Sequence, residues 1–155
     1  MSLLEMMVVV SVLSIGAAMA VPNFTLTTAR AQLKQGTKEL AGHLNTSRML
    51  AMNRNTTVTA TIAQITCPPA TANCGRIQTT FTYPGGGTAL PSYLLPAQVT
   101  ATNGTSQIQF NSLGLRTGGG GANQTTTMTN SKGVTFEVQV TPAGRIRWCP
   151  TSPCT

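Results

Sequence analysis

The sequence predicts an α+β chain, a long N-terminal helix packed on a small antiparallel β-sheet body. Three observations carry this. From Met6 to Val21 only Ser11, Ser14 and Gly16 interrupt an apolar run. Between residues 24 and 53 apolar and small residues recur at steps of three and four, the period of one helix face. From residue 56 the period changes to two, the period of half-buried strands.

The apolar head comes first. As a helix, residues 1–22 span roughly 33 Å, enough for a bilayer core. A cleaved signal peptide fits poorly, because nothing basic precedes Arg30 and Glu5 sits near the start. A carboxylate inside an apolar segment is functional by default, so Glu5 is the first residue that needs a reason. Pro22 lacks an N–H and clashes with the preceding turn, so it is expected to interrupt or kink the helix. Gly16 weakens it in the same region.

The second stretch is amphipathic. Leu33, Thr37, Leu40, Leu44, Ser47 and Ala51 form one stripe, with Lys34, Lys38, Asn45 and Arg48 off it. His43 lies beside Leu40 and Leu44 and reads as a surface or half-buried helix histidine. The two stretches can join as one helix of about 50 residues, some 75–80 Å long. A single small domain cannot cover such a helix, so its first half must bury itself in a membrane or in other subunits. The chain thus divides into a hydrophobic helix (1–23), an amphipathic helix on the body (24–55) and a β-rich body (56–155).

Within the body, Val58, Ala60 and Ile62 alternate with threonines. Ile77, Thr79, Phe81 and Tyr83 form another face, and Ile108 and Phe110 a short one. The clearest strand turns Val134, Phe136, Val138 and Val140 inward and Thr135, Glu137, Gln139 and Thr141 outward. Ile146 and Trp148 alternate with Arg145 and Arg147. Pro68-Pro69, Pro84 with Gly85 to Gly87, and Gly118 to Gly121 mark loops. The glycine runs are not phosphate loops, because no Gly-Lys-Ser/Thr follows them.

The four cysteines fall in close pairs, Cys67/Cys74 and Cys149/Cys154. Four cysteines allow three connectivities. Short loops close most readily, which favours two local disulfides and an oxidising compartment. Four free thiols are the alternative. The spacings are too wide for the usual zinc pattern, and there is one histidine.

Charge is scarce. Only 8% of the 155 residues are charged, against about 25% in an ordinary domain. The acids are Glu5, Glu39 and Glu137, and there is no aspartate. Carboxylate pairs, Ser-His-Asp triads and oxygen-rich metal sites have almost nothing to draw on, so no enzyme, metal or cofactor is expected. In place of charge the chain carries 27 threonines. Beyond Glu39 the basic residues are Arg48, Arg54, Arg76, Arg116, Lys132, Arg145 and Arg147, opposed by Glu137 alone. Such a body offers little resistance to a polyanion. On a strand, Arg145 and Arg147 would share a face, and two neighbouring guanidinium groups suit phosphate.

Ser2-Leu3-Leu4-Glu5-Met6-Met7-Val8-Val9-Val10, ending at Val21-Pro22-Asn23-Phe24, resembles the N-terminus of type IV pilins and type II secretion pseudopilins. Met1 stands where the family usually has phenylalanine. Ser47-Arg48 through Val58, Ile108 to Gly114 and Val138 to Arg147 resemble the FimT/GspH group of minor pilins and pseudopilins. The resemblance implies a type IV pilin fold. It implies a chain processed by prepilin peptidase to an N-methylated first residue, here Met1. That chain is held in the bacterial inner membrane and assembled by the pilus machinery into a homo- or hetero-oligomeric extracellular filament, or into a periplasmic pseudopilus. Glu5 would neutralise the amine of residue 1 on a neighbouring subunit. The Gly16–Pro22 stretch would be able to lose helicity in the filament. Gly144-Arg145-Ile146-Arg147 is similar to the GRxR tail with which FimT-type minor pilins bind DNA, which makes Arg145 and Arg147 the DNA-binding candidates.

Overall fold

The structure, a computed structural model, describes residues 3–65, 76–96, 99–104, 106–150 and 154, without the side chains at 4, 17–23 and 100–103. Met1, Cys67 and Cys74 therefore lie outside the described residues. The first element, α1, is a single helix over Leu3–Asn53. Neither Gly16 nor Pro22 ends it, which corrects the expected interruption for the isolated chain. One missing N–H removes one bond from a long ladder, and a helix already nucleated on both sides propagates across it. Asn55 stops the helix. It adopts φ 47°, while Asn55 N and Thr56 N cap the carbonyls of Met52 and Ala51 at 3.2 and 3.1 Å.

Among the described residues nine strands follow, in two antiparallel sheets where the alternation suggested one. The first five are β1 (Val58–Gln64), β2 (Ile77–Thr82), β3 (Thr88–Leu94), β4 (Val99–Gly104) and β5 (Gln107–Phe110). The rest are β6 (Arg116–Thr117), β7 (Gln124–Asn130), β8 (Thr135–Val140) and β9 (Ile146–Cys149). One sheet has the order β3-β2-β1-β5-β6, the other β4-β7-β8-β9. Pro91 sits in β3, an edge strand, where a missing ladder donor is tolerated. The backbone N–H of Arg116 donates to Pro142 O at 3.1 Å and ties the edge of the first sheet to the β8–β9 turn of the second.

Both sheets press on the amphipathic half of α1. Leu33, Thr37, Leu40, Leu44, Ser47 and Ala51 are all fully buried, so the stripe read from the sequence is the one the core uses. It meets Val58, Ala60, Phe81, Ile108 and Phe110 from one sheet and Met128, Phe136, Val138 and Val140 from the other. The hydroxyls on the stripe are satisfied within the helix: Thr37 Oγ1 donates to Leu33 O at 2.7 Å and Ser47 Oγ to Leu44 O at 2.8 Å.

The expectation that Glu137 and Gln139 face solvent needs correction, since both are buried. They do lie on the face of β8 away from α1. Glu137 is paired in register with Cys149, whose disulfide partner Cys154 lies beside it. The backbone N–H of Cys154 approaches Glu137 Oε1 at 3.5 Å.

Candidate functional site

From Leu3 to Gly16 every described side chain of α1 is exposed, including Leu3 at 80%, Met7 at 70% and Leu13 at 66%. Glu5 lies within this stem and is exposed too. The first buried helix residue among those described is Ala29. A Cβ at Gly16 would meet nothing within 4 Å, so packing within the chain does not require glycine there. Among the described residues no helix is long and apolar enough to cross a membrane. The apolar run in the sequence continues through residues 17–21, whose side chains lie outside that description.

The basic segment sits at the far end of the body. Arg145 occupies the turn just before β9, and Arg147 lies within β9 opposite Gln139; both are exposed. Trp148 points to the other face. It stacks on Phe136 with ring centroids 6.4 Å apart, and Lys38 Nζ lies 5.1 Å above it. The turn is held from below. Gly144 N donates to Thr141 O at 2.9 Å, and Thr141 Oγ1 accepts from Arg145 N at 3.1 Å. Gly144 has φ +75°, and a Cβ on it would lie 2.0 Å from Gly114 O. That same carbonyl accepts from Arg48 Nε at 2.8 Å. Two glycine turns thus close on one helix arginine and fix the arginine-bearing strand against the end of α1.

Several supporting residues escaped the sequence reading. Arg116 is buried, and its guanidinium donates to Gly118 O at 2.6 Å and Ala122 O at 2.5 Å, organising the glycine loop. Its Nε is buried without a partner. Asn111 and Asn130 each fold a turn by accepting two backbone N–H groups on Oδ1, from Leu113 and Leu115 and from Lys132 and Val134. The signal available was Asn followed three residues later by Gly.

On the flank of α1, Tyr93 Oη donates to Glu39 Oε2 at 2.5 Å and Gln35 Nε2 to Glu39 Oε1 at 2.8 Å. These bonds, Tyr93's first, hold the Glu39 carboxyl below its ordinary range. Desolvation, with Glu39 beside it, pushes the Tyr93 phenol upward. His43 is half-buried and stacks on Tyr93 at 4.7 Å. Among the described residues no group of His, Cys, Asp and Glu is placed to hold a metal. Cys149 and Cys154 form the expected disulfide, with S–S 2.00 Å.

The comparisons agree with this architecture. No curated protein matches the chain significantly. Two crystal structures of the type IV minor pilin FimU of Pseudomonas aeruginosa strain PAO1 are similar in fold. The form in space group P21 is 15% identical over 83% of this chain and 96% of that one, with a TM-score of 0.59. The form in P65 is 15% identical over 79% and 97%, with a TM-score of 0.55. The long helix on an antiparallel body is therefore the type IV pilin fold. The family model described as type II transport protein GspH matches residues 36–144, most of the body and the last part of α1. On that match the chain belongs to the GspH family, within the pilin and pseudopilin superfamily.

Proposed function

We propose that the chain is a pilin-like subunit, held in the inner membrane by its apolar stem after processing and then assembled into an extracellular filament. One observation carries this reading: a helical stem of exposed Leu, Met, Val and Ile with a single carboxylate, Glu5, near its start. Such a surface needs lipid or other subunits around it. Transfer from lipid to a filament core replaces one apolar environment by another. In that core an unpaired Glu5 carboxylate costs several kcal/mol, so pairing it with the amine of residue 1 on a neighbour selects one axial register.

The test is incorporation of Glu5→Ala into filaments sheared from cells producing it in place of the wild type. Incorporation is expected to fall at least tenfold, with the body's thermal unfolding unchanged. Wild-type incorporation would sink the reading.

A second destination is supported by the family match to a type II transport protein. There the same stem would build a periplasmic pseudopilus that promotes protein export. Loss of secretion with normal pili on deletion of the chain favours this destination; lost pili with normal secretion favours the first.

DNA capture is a further activity of the filament subunit in this reading. It is supported by the exposure of Arg145 on a clamped turn and of Arg147 on β9, while Glu137, the body's one acid, is buried.

A further inference from the structure

We propose that the foot of the body carries a preformed seat for anionic phospholipid headgroups, built by Arg30 and Lys132. The inference rests on the membrane-held stem proposed above. An open groove of about 580 Å³ runs between α1 and the β7–β8 turn, lined by Leu26, Arg30, Lys132, Gly133, Phe136 and Pro150 among others. Among the described residues its lining contains two cations and no acid. Lys132 also borders the neighbouring groove that includes Phe24 and Thr28.

The backbone that carries the pair is fixed in place. Asn130 is 3% exposed and donates from Nδ2 to Ala29 O at 3.3 Å, the carbonyl just before Arg30. Its Oδ1 accepts from Lys132 N and Val134 N at 3.0 Å each. One buried amide therefore fastens the lysine-bearing turn to the helix beside the arginine.

The height is right for headgroups. Arg30 lies eight residues past Pro22, about 12 Å along the helix. Helix side chains lean toward the N-terminus, and a long arginine carries its charge further that way. The headgroup layer outside the hydrocarbon is about 5–7 Å thick on each side. Phe24, 74% exposed, sits where interfacial aromatics anchor. The groove's two cations stand apart from the turn that carries Arg145, although Pro150, three residues past Arg147, reaches the groove's edge. The Arg145 turn closes on Arg48, whereas the Lys132 turn closes on Ala29, 19 residues or about 28 Å away along α1.

The test places the full chain in nanodiscs of phosphatidylcholine, with or without phosphatidylglycerol, and follows amide hydrogen exchange at residues 26–34 and 131–134. With anionic lipid, exchange at the turn is expected to slow about fivefold per basic residue engaged, and added salt is expected to reverse it. Arg30→Gln with Lys132→Gln should abolish the slowing. Arg30→Lys with Lys132→Arg should keep it, as should Arg145→Ala with Arg147→Ala. Equal protection in neutral and anionic discs overturns the seat and leaves the membrane-held stem standing. Failure of the chain to enter discs overturns both. Protection of the same segments by duplex DNA in neutral discs, with none from anionic lipid, assigns the groove to nucleic acid and overturns the seat.

Discussion

Gly144 holds φ +75°, and its Cα packs against the backbone carbonyl of Gly114 with no room for a methyl group. The neighbour is backbone, pinned in turn by Arg48 Nε, so it cannot swing aside as a flexible side chain could. Gly144→Ala is therefore expected to destabilise the body by about 2–4 kcal/mol, combining left-handed strain with a clash. Gly133 has a similar φ of +72° but open space around it, so Gly133→Ala should cost only about 1 kcal/mol. Urea unfolding of the full chain in detergent measures both. Equal costs would show that backbone conformation alone accounts for the Gly144 requirement. The same turn recurs at Gly114, Gly133 and Gly144, each N–H bonded to the residue three before it. Only Asn111 and Asn130, both followed three residues later by glycine, hinted at this in the sequence. The approach of Gly144 to Gly114 brings together residues thirty apart, and no local pattern records it.

At the scale of elements, α1 meets the body in two ways. Its stripe from Leu33 to Ala51 is buried throughout, and its flank is latched to β3 by Glu39 and Tyr93. The Glu39 carboxyl is held below its ordinary value in the folded chain, so the unfolded chain binds that proton more readily. The latch contributes fully above the unfolded value near 4.5 and is lost as pH falls through the lower folded value. Because Glu39 is largely exposed, solvent screens it and the contribution is a few tenths of a kcal/mol. Chemical unfolding between pH 3 and 6 should be less pH-dependent in Tyr93→Phe than in the wild type; an unchanged slope would remove the latch. The stripe was fully legible because burial on a helix follows its period. The strands β3, β4 and β7 were not. In β4 and β7 threonine and asparagine dominate and alternation carries little hydrophobic contrast, and in β3 Pro91 and Ser92 break the apolar alternation. The division into two sheets depends on long-range pairing, and the burial of Glu137 goes with Cys154, brought beside it by the disulfide; alternation within one strand shows neither.

For the whole molecule, the formal charge of +7 is spread along the chain, and two pairs of exposed cations within it make different demands. Arg30 and Lys132 stand at the foot of the body, and Arg145, at the turn beside Arg48, precedes Arg147 on β9. A diffuse positive field attracts any polyanion weakly, so net charge alone predicts some DNA binding that salt removes. A specific contact by two arginines makes a sharper demand. Each phosphate neutralised releases counterions and steepens log K against log salt by about 0.9 for duplex DNA. Replacing Arg145 and Arg147 together by alanine should reduce that slope by about 1.8 and weaken binding at low salt by tenfold or more, across sequences alike. Replacing Arg30 and Lys132 by glutamine removes the same two charges from the foot. If the field were the whole cause, both pairs would lower the slope equally. Fluorescence anisotropy of a labelled duplex over a salt series, with the full chain in neutral nanodiscs, separates the cases. Equal slopes in the two double variants, or no change in the arginine pair, would return the basic tail to a solvated edge strand.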